Sequence, residues 1–173
     1  RMYPNFVTNE AVKGMEFVTF DQGNADLQPS HCTVLPYTRN VVGPMDFTPV
    51  ILNAKLGPDG VSGTTRMTSA AFELALPVVF QSGIQHVGLV PANILNFPFF
   101  VTDYLRAVPT TWDETHFLSG APGREVVVAR RSGDTWFVAG INGENREKLL
   151  SINLKGLIKA GKEGWAIVDK VGT

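Results

Sequence analysis

Glu125-Val126-Val127-Val128-Ala129-Arg130, then Ser132-Gly133-Asp134, then Thr135-Trp136-Phe137-Val138-Ala139-Gly140-Ile141 reads as two strands folded about a tight turn. β-branched and aromatic side chains favour extended, half-buried backbone, and Gly-Asp between two such runs marks a hairpin. Working outward, residues 149–154 and 164–168 are further short runs of this kind. They are set off by Asn142-Gly143-Glu144-Asn145 and by the glycine-containing region 156–164. Antiparallel strands are expected throughout this part, with a boundary near residues 110–119 where the texture changes.

Upstream the pattern is mixed. Between residues 64 and 80, Met67, Ala70, Ala71, Leu74, Ala75 and Val78 recur three or four apart, the stripe of a helix packed on one face. Thr64 or Thr65 is the expected cap, and Pro77 falls near the far end, where it finishes or kinks the helix. Ile94, Phe97, Val101, Tyr104 and Leu105 give a second helical spacing over residues 94–107, interrupted by Pro98. Residues 15–20, 31–36 and 79–90 read as short strands, and residues 21–30, polar with Gly23 and Pro29, as a surface loop.

Composition excludes several classes. The 173 residues suffice for one ordinary domain or a small domain with part of another, and 44% hydrophobic against 18% charged residues is average for a globular chain. A net charge of −1 without a basic cluster argues against a nucleic-acid partner. The longest apolar stretch, residues 70–88, is broken by Glu73, Gln81, Ser82, Gln85 and His86, so no membrane span is expected and the stretch reads as buried. Cys32 is the lone cysteine, which disfavours both an internal disulfide and a zinc site. GxSxG, P-loop and GxGxxG patterns are absent, against serine-hydrolase, nucleotide-hydrolase and dinucleotide-binding readings.

Glu10 and Glu16 stand on either side of Gly14, which frees the backbone to turn. Two carboxylates at one turn can share a hard cation such as calcium, or divide acid and base duties in glycoside hydrolysis; the bare spacing also fits two solvated surface residues. Asp46, after Gly43-Pro44-Met45, is placed either as a functional residue at a strand end or as a turn residue. Arg39 suits sugar hydroxyls, or a structural pairing with a carboxylate. His31, His86 and His116 share no metal-ligand spacing and read as hydrogen-bonded structural residues. Trp112, Trp136 and Trp165 could stack on sugar rings, although two lie in expected strands and suit a core.

Four stretches taken in order resemble glycoside hydrolase family 97. They are Tyr3-Pro4-Asn5 with Thr8-Asn9-Glu10-Ala11-Val12-Lys13-Gly14-Met15-Glu16-Phe17; Leu35-Pro36-Tyr37-Thr38-Arg39-Asn40-Val41-Val42-Gly43-Pro44-Met45-Asp46-Phe47-Thr48-Pro49; Val108-Pro109-Thr110-Thr111-Trp112-Asp113-Glu114-Thr115; and Val127-Val128-Ala129-Arg130-Arg131 leading to Thr135-Trp136-Phe137-Val138-Ala139-Gly140-Ile141-Asn142-Gly143. The second stretch is long and unusual. The family usually carries arginine where this chain has Asn9.

The resemblance implies an α/β plus all-β chain, with residues 1–112 the C-terminal portion of a catalytic (β/α)8 barrel and residues 113–173 a partial antiparallel β-sandwich. It implies further chain on both sides, and a calcium-dependent, exo-acting enzyme that cleaves α-glucosidic or α-galactosidic bonds of oligosaccharides. On this match Glu16 is the general acid and also approaches the metal, and Glu10 is a calcium ligand. The second catalytic carboxylate then lies upstream of Tyr3, and a periplasmic or secreted location follows from the family alone. A fragment without that carboxylate is expected to be inactive by itself. The reading from another class is a non-catalytic carbohydrate-binding or structural module that keeps only the fold.

Overall fold

The computed structural model describes residues 5, 7–159 and 161–170. Tyr3 and Pro4 of the first matching stretch lie outside the described residues. The helices are α1 (Phe17–Phe20), α2 (Gln22–Val34), α3 (Arg39–Val42), α4 (Ala70–Val79) and α5 (Phe99–Ala107), with 3-10 turns at Leu35–Tyr37 and Pro91–Asn96. Strands β1 (Glu114–Ala121), β2 (Glu125–Ser132) and β3 (Thr135–Asn142) follow as an antiparallel meander with β2 in the centre.

The hairpin that opens the sequence reading is present, with Ser132 facing Thr135 across Gly133-Asp134. β2 is buried from Glu125 to Arg130, as a central strand covered on both faces must be. β1 lies where the sequence leads one to expect only a boundary. Its pairing with β2 slips between Phe117 and Ser119, and this bulge breaks the two-residue alternation that would mark a strand. Residues 149–154 and 164–168 form no ladder among the described residues, contrary to expectation.

The expected loop at residues 21–30 is instead the first part of α2. Asp21 caps it, its carboxylate accepting from the Asn24 amide at 3.0 Å. The buried face is Ala25, Gln28, Cys32 and Thr33, spaced as a helix requires but too small and polar to register as an apolar stripe. Residues 15–20 and 31–36 are likewise helical rather than extended, and no strand forms over residues 79–90. α4 is found, though Ser69 caps it and Thr64 and Thr65 lie outside it. Its side chains from Phe72 to Val79, Ala75 excepted, are buried, so this helix is covered on almost every side.

α4 packs on β2 and β3, and α2 packs on the same two strands. Phe72, Leu76 and Val79 therefore share one core with Val126, Val128, Ala139 and Ile141, and residues on both sides of position 112 contribute to it. Among the described residues no helix is long and apolar enough to cross a membrane.

Candidate functional site

The residues singled out from the sequence meet where three segments cross. The Asn9 carbonyl accepts from the Asp46 amide at 3.1 Å and from Arg39 Nη2 at 2.7 Å, and Asn9 and Met45 form a parallel bridge. Arg39 donates onward to the carbonyls of Gly43 and Pro44, both at 3.0 Å. Asn40 joins this loop to the end of α4, donating to the Gln81 carbonyl at 3.0 Å and accepting from the Gln81 amide at 3.1 Å. Arg39 thus has a structural role, as expected, but its partners are three backbone carbonyls and not a carboxylate. It fixes the backbone of the residue before Glu10.

One turn later the Met15 amide donates to the Phe47 carbonyl at 2.9 Å. That bond seats Gly14 against the 46–48 loop and points the flanking carboxylates to one place. A Cβ built on Gly14 would lie 2.7 Å from Glu16 Oε2 and 3.7 Å from Glu10 Oε1. Both glutamates are exposed, so neither is committed to an internal ion pair. Glu16 Oε1 accepts from the Thr48 hydroxyl at 2.9 Å. The other oxygen, Oε2, is the atom beside Gly14.

An all-oxygen pair of carboxylates suits a hard cation, but calcium takes about six to eight oxygens. Among the described residues no group of three or more Asp, Glu, His or Cys side chains is arranged to hold a metal. Glu10 and Glu16 therefore fit as part of a calcium shell and do not complete one. Asp46 pairs its carboxylate with His86 Nδ1 at 2.9 Å, which accounts for both residues without a ligand. His31 meets the Lys13 carbonyl and His116 meets Glu114, as structural histidines do. Trp112 packs on Phe137 and beneath the Arg130 guanidinium, while Trp165 is 68% exposed beside Tyr104.

Sequence reasoning missed two participants. Thr48 sits in the second matching stretch with no chemistry that marks it, and in the sequence Glu73 is only an interruption of an apolar run. Glu73 is fully buried on α4, and its Oε2 accepts from the Val50 and Ile51 amides at 3.1 and 3.3 Å, while Oε1 accepts from the Thr68 hydroxyl at 2.5 Å. A lone carboxylate in an otherwise apolar helix was the available signal, since a buried charge must have partners.

Burial pushes the Glu73 carboxyl up to about 7, against the opposing pull of the Thr68 hydroxyl, the Arg66 charge and the two amides. A carboxyl raised in the folded state lends stability that is complete below the unfolded value near 4.5 and lost as pH rises through 7. The loss expected from this group is about 3 kcal/mol. His31, whose ring is pushed down by burial, has the opposite slope, losing stability as pH falls. Denaturant unfolding at pH 5 and pH 8 should therefore show a pH-dependent loss in the native chain that Glu73→Gln removes. The same slope in both proteins would contradict the assignment.

A model of the family described as "Glycosyl-hydrolase 97 C-terminal, oligomerisation" matches residues 111–168. Among curated proteins, the chain is 37% identical over 140 residues to "Probable retaining alpha-galactosidase" of Streptomyces bingchenggensis, covering 81% of this chain and 20% of that protein. It is 36% identical over 148 residues to "Retaining alpha-galactosidase" of Bacteroides thetaiotaomicron, covering 82% of this chain and 22% of that protein. Among solved structures, a β-arabinopyranosidase superposes with a TM-score of 0.78 at 44% identity, over 82% of this chain and 23% of that one. A family 97 enzyme of Pseudoalteromonas sp. strain K8 in complex with panose gives 0.68 at 34% identity, over 81% of this chain and 22% of that one. The chain thus spans about a fifth of the length of the curated relatives it matches. Ordered motifs, the family model and the superposed enzymes agree that the chain belongs to glycoside hydrolase family 97, as a stretch that includes its C-terminal domain.

Proposed function

We propose that the chain is part of an exo-acting, calcium-dependent glycosidase that cleaves α-glucosidic or α-galactosidic bonds of oligosaccharides, with Glu16 as general acid and Glu10 as calcium ligand. The carrying observation is that Glu10 and Glu16 bear on the same Gly14 face while Thr48 occupies one Glu16 oxygen. Two curated relatives named as α-galactosidases support the galactosidic reading, and panose in a related enzyme supports the glucosidic one. An arabinopyranoside, as processed by another relative, has the ring configuration of a galactopyranoside without its hydroxymethyl arm. Residues 1–112 are read as the end of the catalytic barrel and 113–173 as the start of the terminal sandwich, in a periplasmic or secreted protein.

In this reading Glu16 Oε2 passes its proton to the glycosidic oxygen as the bond to the sugar breaks, and Thr48 keeps the carboxyl oriented for it. Arg39 and the Asn9 carbonyl set the backbone that carries Glu10. Glu10 and Glu16 would hold the calcium, which supplies fixed positive charge against which sugar hydroxyls can be ordered. The base or nucleophile is assigned to chain outside these residues, so the 173 residues alone are expected to turn over no substrate. Exposed Val42, Leu95 and Phe99 accord with a surface that the rest of such an enzyme covers.

The test is hydrolysis of nitrophenyl α-galactoside, α-glucoside and β-arabinopyranoside by the complete protein, stripped of calcium and resupplied. At least one substrate should be turned over, with activity lost on stripping and restored by calcium. Glu10→Gln should raise the calcium needed for half-activity by at least about tenfold. Full activity after stripping would defeat the calcium assignment, and turnover by the isolated chain that Glu16→Gln abolishes would defeat the division of the site.

A further inference from the structure

Resting on that reading of Glu16, we infer that Glu73 is a positioning residue for the acid: from inside the core it holds the kink at residues 48–51 that presents Thr48 to Glu16. Thr48 and Val50 have φ of 57° and 71°, in the left-handed region that non-glycine residues avoid and that a β-branched valine avoids most. Each such residue is strained and persists only where its surroundings over-determine it. Here the surroundings are explicit. The Phe47 carbonyl accepts from the Met15 amide at 2.9 Å and the Pro49 carbonyl from the Gly88 amide at 2.8 Å. The next two amides, Val50 and Ile51, both turn inward to Glu73 Oε2.

Glu73 is the one side chain in this set of bonds. Thr68 grips its other oxygen, and the Arg66 guanidinium lies near enough to act on its charge. Arg66 is itself tied to the carbonyls of Leu52, Asn53 and Thr68, so it braces the chain that leaves the kink. A relaxed kink would carry Thr48 away and free Glu16 to rotate. A displacement of about 1 Å at a reacting group is enough to cost on the order of a hundredfold in rate.

The experiment is a mutant cycle on kcat and KM in the complete enzyme, using an unactivated oligosaccharide whose leaving group needs the acid's proton. Glu73→Leu should lower kcat at least about tenfold with little change in KM, at a temperature where circular dichroism shows it folded. Glu73→Gln keeps an acceptor for both amides and should restore kcat to within about twofold of the native enzyme. Thr48→Val should reproduce the loss, and Glu73→Leu with Thr48→Val should lose no more than Thr48→Val alone, because one route connects them. Should Glu73→Leu fail to fold, Thr68→Val, which releases only one grip on Glu73, replaces it in the cycle with a smaller loss of the same non-additive kind. Losses that multiply in the double variant overturn the inference. Full activity of Glu16→Gln would instead overturn the acid assignment itself, and the cycle separates the two failures.

Discussion

Glu16→Gln in the complete enzyme should lower turnover of an unactivated oligosaccharide by roughly 10²- to 10⁴-fold, the usual contribution of a positioned general acid. Glutamine fills the same space and still accepts from the Thr48 hydroxyl, so the geometry at Oε1 survives while the transferable proton does not. Since Glu16 is exposed and carries no internal ion pair, the fold should be unaffected. The diagnostic is the leaving group. A nitrophenolate departs without help, so the nitrophenyl glycoside should lose far less than a disaccharide. Equal losses of less than tenfold on both would remove Glu16 from the acid role. Gly14→Ala is the companion variant: its new methyl would meet Glu16 Oε2 at 2.7 Å and the Phe47 carbonyl at 3.3 Å, displacing the acid while leaving its chemistry intact.

Gly120→Ala should lower the stability of the chain by about 3 kcal/mol or more, a fall in Tm on the order of 10 °C. Gly120 has φ of 130°, and a Cβ there would stand 2.1 Å from the Glu125 carbonyl oxygen and 2.7 Å from the Tyr37 hydroxyl. The same carbonyl accepts from Tyr37 at 3.2 Å, a bond 88 residues long in sequence that ties the Leu35–Tyr37 turn to the sheet. Neither backbone nor ring can give way without opening β1 from β2 or losing that tie. Gly123→Ala is the control, because its φ of 77° is also left-handed but nothing lies within 4 Å of the added atom. It should cost only about 1 kcal/mol, and thermal unfolding of the two variants side by side decides the matter.

What could be read from the residues depended on whether the physical cause lay in local pattern. β2 and β3 are legible because their β-branched runs flank a two-residue turn, and α4 because its apolar spacing is helical; of the second helical spacing, residues 94–107, only Phe99–Ala107 is α-helix, Ile94 falling in a 3-10 turn and Pro98 capping α5. β1 was hidden by its own bulge, and α2 by a buried face that includes Gln28 and Thr33. Glu10 and Glu16 stood out through the ordered motifs, and the structure brings them to one glycine. Thr48 lies in the second matching stretch but nothing there marks it, and Glu73 lies outside all four, because what sets them apart is left-handed backbone and a carboxylate meeting amides 22 and 23 residues away. Neither a φ angle nor a burial depth is written in residue types.

α4 is seated on the sheet, sharing a core with it through Phe72 and Leu76, and through the neighbouring Glu73 it grips the loop that carries Thr48. Mechanical load on the meander is then borne by the same rod that holds the left-handed bend at Thr48 and Val50. The chain after Val108 is therefore no tethered appendage, for any tilt of the strands would have to shear this helix through close-packed side chains.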